Sequence, residues 1–263
     1  MHYFRWAHFL LFFLLSNNYQ SFGRPVIASA EEIAKRLQQV PVLCYHQVRD
    51  WDRTDSKSGK VYITPVNTFK AHIRMLHDGG YHSISPDQLL GYAIAGMPLP
   101  AKPILICFDD GTISQYENAL PELERAGFKA TFFIMTVVLN RPRYMTTAIL
   151  NLLVSKGHTI GCHTCDHHTV TGYTEADWEK QLEKPTRQLE NITGKHIIYF
   201  AYPFGQYSKK SFEVLKGHGY AAAFQLWGKA DKDEPLFNVR RILVDGNWDS
   251  TRLLKEINNR YYK

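Results

Sequence analysis

The sequence contains no low-complexity tract, no internal repeat and no cluster of lysine and arginine residues. Its 263 residues are 44% hydrophobic and 21% charged, which is ordinary for a globular protein and suits one large domain. The net charge of +6 is scattered along the chain. The charge pattern therefore gives no indication of a nucleic-acid partner.

The sequence also lacks an apolar run of the ~20 residues that span a bilayer comfortably. At the N-terminus, Arg5 precedes a short apolar run at 7–15, and the small residues Ser21 and Gly23 follow it. This order predicts that residues 1–23 are a signal peptide, with an uncleaved anchor as the alternative. We therefore expect an exported protein, periplasmic, in the cell envelope or secreted, without stable membrane insertion after cleavage. Residues 24–39 would lead into a single domain over 40–263.

Cysteine is scarce, with four residues in all. Cys44 and Cys107 lie in apolar runs, where a free thiol behaves as a small hydrophobic group. Cys162 and Cys165 form one C-x-x-C motif, which raises a redox or a cysteine-zinc alternative. No second C-x-x-C exists to complete a four-thiolate site, so we place less weight on that alternative. The disulfide state stays open.

Short apolar runs alternate with amphipathic stretches along the chain, which predicts an α/β fold, either a barrel or a doubly wound sheet. Most of these runs are apolar throughout, as a parallel sheet buried on both faces requires. Ser85 and Pro86 suit a helix start, and Thr174 with Asp177 suits another. Pro185 is expected to kink or break the second of these helices. The predicted strands are 40–46, 81–85, 103–109, 130–135, 158–163, 197–203, 221–226 and 240–245.

Reactive residues stand at the ends of several predicted strands, where a parallel barrel gathers its chemistry. Asp109 and Asp110 repel each other unless a cation lies nearby, so the pair predicts a metal site. His163 and His167, four residues apart, complete a hydrolytic zinc pattern of one aspartate and two histidines with room for water. Each part alone has a structural alternative, such as a turn at Asp109-Asp110. We expect four further histidines, at 158, 168, 196 and 218, to lie at the surface.

At this point the sequence resembles a known family. The segments "FDDG", "GFKATFFI", "GHTIGCHTCDH" and "FAYPFG" follow one another as in the polysaccharide deacetylases (NodB homology domain, carbohydrate esterase family 4). The resemblance spans about residues 40–245, and "VLCYHQV" and "RRILV" look most like the poly-N-acetylglucosamine deacetylases. It implies a distorted (β/α) barrel of seven or eight strands. It also implies a hydrolase that removes acetyl groups from N-acetylated sugars of a polysaccharide of the poly-N-acetylglucosamine, peptidoglycan or chitin type.

The resemblance assigns roles to individual residues. Asp109 would be the base that takes a proton from a metal-bound water, and the backbone N–H of Phe204 would stabilise the oxyanion. Thr164 fills a small-hydroxyl position, and we expect substrate contacts from it and from Tyr202 and Pro203. The metal, Zn²⁺ in first place with Co²⁺, Ni²⁺ or Mn²⁺ as alternatives, would bind Asp110, His163 and His167.

Three departures from the family pattern matter. The arginine that many members carry before the Pro-aromatic pair is missing, and Arg241 could replace it from a neighbouring strand. The late Leu-x-His is also missing, since Asp245 stands where the histidine would be. We therefore assign the general acid to His46, whose strand should adjoin the last strand in a closed barrel. The Asp-x-x-Asp-Trp block of the family is the third missing element, and Trp227 could wall the pocket in its place. The alternatives are an O-acetyl esterase with the same fold and a non-catalytic glycan-binding relative.

Overall fold

The computed structural model describes residues 27–226, 228 and 230–261. Its centre is a parallel sheet in which eight strands follow the order β10-β9-β8-β7-β6-β5-β1-β11, with β4 paired to β5. A small parallel pair, β2 and β3, stands apart. The α/β barrel class expected from the sequence is confirmed. The strands are β1 Val42–Tyr45, β2 Gln47–Val48, β3 Ile63–Thr64, β4 His82–Ser83, β5 Pro103–Phe108, β6 Thr131–Ile134, β7 Thr159–Cys162, β8 Tyr199–Ala201, β9 Ala222–Gln225, β10 Val239–Arg240 and β11 Ile242–Leu243.

Helices connect the strands and cover the outside of the sheet. Ser85 caps α3 with a capping box and Pro86 begins it, and Thr174 caps α6 in the same way, both as predicted. The α-helices are α1 Ala30–Leu37, α2 Val66–Asp78, α3 Pro86–Ala95, α4 Leu120–Arg125, α5 Thr147–Ser155, α6 Glu175–Trp178, α7 Lys184–Thr193, α8 Lys209–Gly217 and α9 Ser250–Tyr261.

Two π-helical segments, Gln115–Ala119 and Glu179–Glu183, interrupt this regular pattern. Each runs directly into an α-helix with proline near its start, Pro121 in α4 and Pro185 in α7. Proline lacks an N–H and its ring presses on the carbonyl four residues earlier, so the preceding turn widens. A kink or break was predicted at Pro185. The helix does not end there, but the π turn at Glu179–Glu183 interrupts its regular α-helical pattern just before the proline.

The barrel closes at a single residue. The predicted strand over 240–245 is in fact two strands: β10 pairs with β9, and β11 pairs with β1. Arg241 lies between them, and its N–H donates to the carbonyl of Gln225. The chain thus changes neighbours at Arg241. The first and last strands are adjacent, as the sequence analysis expected of a closed barrel.

Hydrophobic side chains from both faces of the sheet form the core. One cluster includes Phe108 and Phe132, whose rings stack at 5.1 Å between centroids. His158, which we expected at the surface, is buried beside Phe132, and this prediction is wrong. Among the described residues no helix is long and apolar enough to cross a bilayer. The predicted signal peptide at 1–23 and the predicted pocket residue Trp227 lie outside the described residues.

Candidate active site

The carboxyl ends of the parallel strands bring the chemically active side chains together at one edge of the barrel. His46 follows β1, Asp109 and Asp110 follow β5, and His163 follows β7. Arg241 reaches the same region from the junction of β10 and β11. These residues are far apart in the sequence, and the closed sheet makes them neighbours.

Backbone strain concentrates at this edge. Seven non-glycine residues of the described chain have positive φ, and four of them are Asp110 (76°), Thr164 (65°), His167 (67°) and Phe204 (57°). Side chains with a Cβ adopt this region at a cost of about 1–3 kcal/mol, so the surrounding contacts must hold them there. Residues under such strain tend to cluster at active sites.

Asp110, His163 and His167 form a group that could hold a metal ion. Asp110 Oδ1 lies 3.5 Å from His163 Nε2 and 3.6 Å from His167 Nε2. Asp110 Oδ1 and His163 Nε2 are buried and have no hydrogen-bond partner among the described residues. Buried polar atoms are normally satisfied, so convergent donor atoms without partners fit a cation shared between them.

The orientation of His163 supports the same interpretation. Its Nδ1 lies 2.8 Å from the carbonyl oxygen of Ala201, where the ring N–H donates. This bond leaves Nε2 directed at Asp110, the arrangement expected for a metal-binding histidine. Burial lowers the pKa of His167 to about 4, and the neighbouring His163 adds to the effect, so this ring is a neutral ligand near pH 7.

Asp109 differs from its neighbour Asp110 in that both of its carboxylate oxygens have hydrogen-bond partners. It is 1% exposed, and both of its oxygens accept from Arg241, at 2.7 and 2.8 Å. The thiol of Cys44 donates to Oδ2 over 3.4 Å. Burial acts to raise the pKa of Asp109, but the guanidinium outweighs it and holds this pKa well below the ordinary value. Asp109 is therefore ionised, oriented, and within 3.9 Å of His163 Nε2 through Oδ2.

A second group of possible ligands, Cys44, His46 and Asp109, lies beside the first. The Arg241 guanidinium already occupies both oxygens of Asp109. Burial also raises the pKa of the Cys44 thiol, which disfavours the thiolate that a metal requires. This group therefore suits proton transfer better than metal binding.

His46 is buried at the end of β1, and its Nδ1 has no hydrogen-bond partner among the described residues. The ring packs edge-on against Tyr62 at 5.0 Å, and Tyr62 itself is 42% exposed. Burial lowers the pKa of His46, while the carboxylates of Asp110 and Asp109 act against this shift. Tyr62 was missed in the sequence because it lies beside a polar loop with no strand or motif signal.

The structure does not place all the predicted substrate contacts in the cleft. Thr164 is fully buried and its hydroxyl accepts from the His167 N–H at 3.0 Å, so it orients a candidate ligand instead of meeting substrate. Tyr202 is fully buried and its hydroxyl donates to the Phe237 carbonyl, which makes it a core residue. Pro203 is also buried. Phe204 is 52% exposed with its ring 4.5 Å from that of His167, at the mouth of the site.

Known proteins resemble this chain in sequence and in fold. The family model described as polysaccharide deacetylase matches residues 96–223, which contain Asp109, Asp110, His163 and His167. This segment of the chain is therefore similar to the polysaccharide deacetylases. The poly-beta-1,6-N-acetyl-D-glucosamine N-deacetylase of Staphylococcus epidermidis is 26% identical over 261 residues, covering 87% of this chain and 88% of that protein.

Two solved structures share the fold of this chain. IcaB from Ammonifex degensii superposes with a TM-score of 0.68 and 26% identity, covering 78% of this chain and 91% of that one. The deacetylase PplD of Streptococcus pyogenes, solved with acetate, superposes with a TM-score of 0.75 at 22% identity, covering 82% of this chain and 96% of that one. The second likeness supports the barrel architecture alone.

Proposed function

We propose that this protein is a polysaccharide deacetylase, a metal-dependent N-deacetylase acting on a polysaccharide of N-acetylglucosamine, with the poly-β-1,6-linked polymer as the first candidate. The relative from Staphylococcus epidermidis supports this substrate class, because the two chains align over nearly their whole lengths. The observation that carries the proposal is the convergence of unpartnered donor atoms from Asp110 and His163, with His167, beside an ionised Asp109. Export, predicted from residues 1–23, would bring the enzyme to glycans of the cell envelope.

Asp110, His163 and His167 would hold the ion. A divalent metal bound there supplies a lowered pKa for water, from ~15.7 towards ~7, and polarises the acetyl carbonyl. Asp109 takes the proton of the attacking water, and general-base catalysis of this kind contributes about 10²–10⁴-fold. Arg241 keeps the Asp109 carboxylate ionised and fixes its direction through two hydrogen bonds.

Two further groups would act on the oxyanion and on the leaving amine. The backbone N–H of Phe204 stabilises the oxyanion, an interaction often worth about 3 kcal/mol per donor. His46 donates the proton to the leaving sugar amine. Its position beside Asp109 supports this role, because the ring lies close to the group that takes the proton of the attacking water.

The test of this proposal is acetate release from a panel of four acetylated polymers. We expect release from poly-β-1,6-N-acetylglucosamine oligomers that is lost with a chelator and restored by Zn²⁺ or Co²⁺. Release from acetylated xylan alone would indicate an O-acetyl esterase. Release from chitin oligomers or peptidoglycan alone would move the enzyme to another N-acetylated polymer. Binding of a glycan with no release from any polymer, in metal-loaded protein, would contradict the assignment as an enzyme.

A further inference from the structure

The two π-helical segments of the described chain share an unexpected feature: each contains a buried glutamine that forms hydrogen bonds with a loop of the candidate active site. Gln115 begins the first segment and Gln181 lies in the second, with side chains 0% and 3% exposed. A π turn holds one residue more than an α turn, and such turns occur frequently at functional sites. Pro121 and Pro185 produce the two turns in the way described above.

Gln115 joins the ends of two strands. Its side-chain amide donates to the carbonyl of His46 at 2.8 Å and to the carbonyl of Asp109 at 2.6 Å. The first residue follows β1 and the second follows β5, so one amide group fixes the spacing between the proposed acid and the proposed base. The next residue, Asp110, has positive φ, and its strained backbone begins directly at the carbonyl that Gln115 holds.

Gln181 fixes the loop between His163 and His167 in a similar way. Its Oε1 accepts from the N–H groups of Cys165 and Asp166, at 3.2 and 3.4 Å. Its Nε2 donates to the Asp166 carboxylate at 2.7 Å. These two residues lie between the candidate ligands His163 and His167, and the loop has positive φ at both Thr164 and His167.

We propose that Gln115 and Gln181 are positioning residues, each holding one strained loop of the site in the geometry that it needs. Gln181 sets the separation of the two histidine ligands and acts on metal binding. Gln115 sets the base and the acid relative to each other and acts on turnover. The activity part of this inference rests on the proposed function, but the metal and backbone parts do not.

The test for Gln181 is the variant Gln181→Met, which keeps the length of the side chain and removes its hydrogen bonds. We expect hydrogen exchange at the Cys165 and Asp166 amides of the full chain to rise at least about fivefold, because each loses its acceptor. We expect the dissociation constant for Zn²⁺ to rise about 10–100-fold, as when a group that orients a ligand is removed. Activity at saturating Zn²⁺ should recover most of its wild-type value.

The test for Gln115 is Gln115→Met. We expect kcat to fall about 10-fold or more, because a small displacement of catalytic groups has a large effect on rate. The dissociation constant for Zn²⁺ should change less than in Gln181→Met. The two variants should thus differ in the quantity that they change: Gln181→Met mainly changes the metal affinity, and Gln115→Met mainly changes kcat.

Gln225→Met is the matched control. Gln225 is also a fully buried glutamine, but neither of its side-chain polar atoms has a hydrogen-bond partner among the described residues. Its replacement removes no such bond and should leave metal affinity and amide exchange in the 165–166 loop unchanged. A swapped pair, Gln181→Glu with Asp166→Asn, exchanges donor and acceptor and should restore part of the Zn²⁺ affinity that Gln181→Met loses.

Three outcomes would overturn the inference. One is unchanged amide exchange at Cys165 and Asp166 in Gln181→Met. The second is an equal loss of Zn²⁺ affinity in the Gln225→Met control, which would indicate a general effect on the core. The third is a Gln115→Met variant whose kcat is unchanged in an active preparation. If wild-type protein releases no acetate, the proposed function fails, while the exchange and Zn²⁺ measurements still decide the role of Gln181.

Discussion

The candidate site has two halves that are built differently, although Asp109 in one half and Asp110 in the other are adjacent in the sequence. In the paired half, Asp109 is buried and its oxygens accept hydrogen bonds from Arg241 and Cys44. In the open half, Asp110 turns towards His163 and His167, and its Oδ1 has no hydrogen-bond partner among the described residues. The two aspartates therefore have different roles, and the surroundings of each carboxylate determine its role. This difference explains how two neighbouring carboxylates are accommodated at the end of a buried strand.

The paired half is most directly broken by Asp109→Asn. We expect kcat for acetate release to fall about 10²–10⁴-fold, because the amide cannot accept the proton of the attacking water. Steady-state kinetics at saturating Zn²⁺ measures the effect. An Asp109→Asn enzyme with full activity would remove Asp109 from the role of base.

The same half also contributes to stability through Arg241. Arg241→Met leaves the buried Asp109 carboxylate without the guanidinium that neutralises its charge, which typically costs about 3–5 kcal/mol in the free energy of unfolding. Urea unfolding measures this loss, and the double variant with Asp109→Asn should recover part of it. The control is Arg187→Met, since Arg187 forms an exposed pair with Glu183 and such pairs contribute about 0–1 kcal/mol. Equal losses of stability in Arg241→Met and Arg187→Met would contradict this role of Arg241.

A similar difference separates His158 and His163, which flank the two ends of β7 and whose pKa values shift in opposite directions. Burial lowers the pKa of His158 to about 4, whereas the carboxylates of Asp109 and Asp110 overcome burial and raise the pKa of His163. Between about pH 6.5 and 4 the unfolded chain binds more protons at His158 than the folded one, so this residue makes stability fall as the pH falls.

His158→Asn should reduce that dependence, because Asn does not titrate and can still accept from the Ala130 N–H, as His158 Nδ1 does. The measurement is urea unfolding at about pH 7.5 and about pH 5, where the variant should lose less stability than the wild type. Equal losses in both proteins would contradict the assigned role of His158.

The smallest effect is expected at the C-x-x-C pair. Cys162 is buried and Cys165 is half-buried, and both are free thiols. Burial raises the pKa of Cys162 to about 11, which is unfavourable for redox chemistry. Cys165→Ser should change kcat/KM by no more than about twofold, because substitutions away from specific contacts stay within about 0.5 kcal/mol. A large loss of activity on oxidation that Cys165→Ser prevents would support the redox alternative.

Much of the fold could be predicted from the sequence because it depends on local patterns. Apolar runs gave seven of the principal strands close to their observed places, and Ser85 and Thr174 cap helices through residues next to them in the chain. The eighth run failed at Arg241. Nothing local indicates that a chain will change strand partners within one residue, since that depends on where the barrel closes.

The site could be predicted in part for the same reason. Asp110, His163 and His167 come together as expected, because strand ends of a parallel sheet meet at one edge. Thr164 and Tyr202 were misjudged, since a motif gives the residue type and not the direction in which it points. Gln115 and Gln181 were missed because their contacts are with backbone groups distant in the sequence, and only Pro121 and Pro185 within helical patterns hinted at the π turns.

The division of labour between the adjacent aspartates is tested most directly by measuring Zn²⁺ bound to metal-depleted wild-type, Asp109→Asn and Asp110→Asn proteins by titration calorimetry. The account predicts one ion per chain in the wild type and in Asp109→Asn, and no tight binding in Asp110→Asn. Tight binding in folded Asp110→Asn together with its loss in Asp109→Asn would contradict the account.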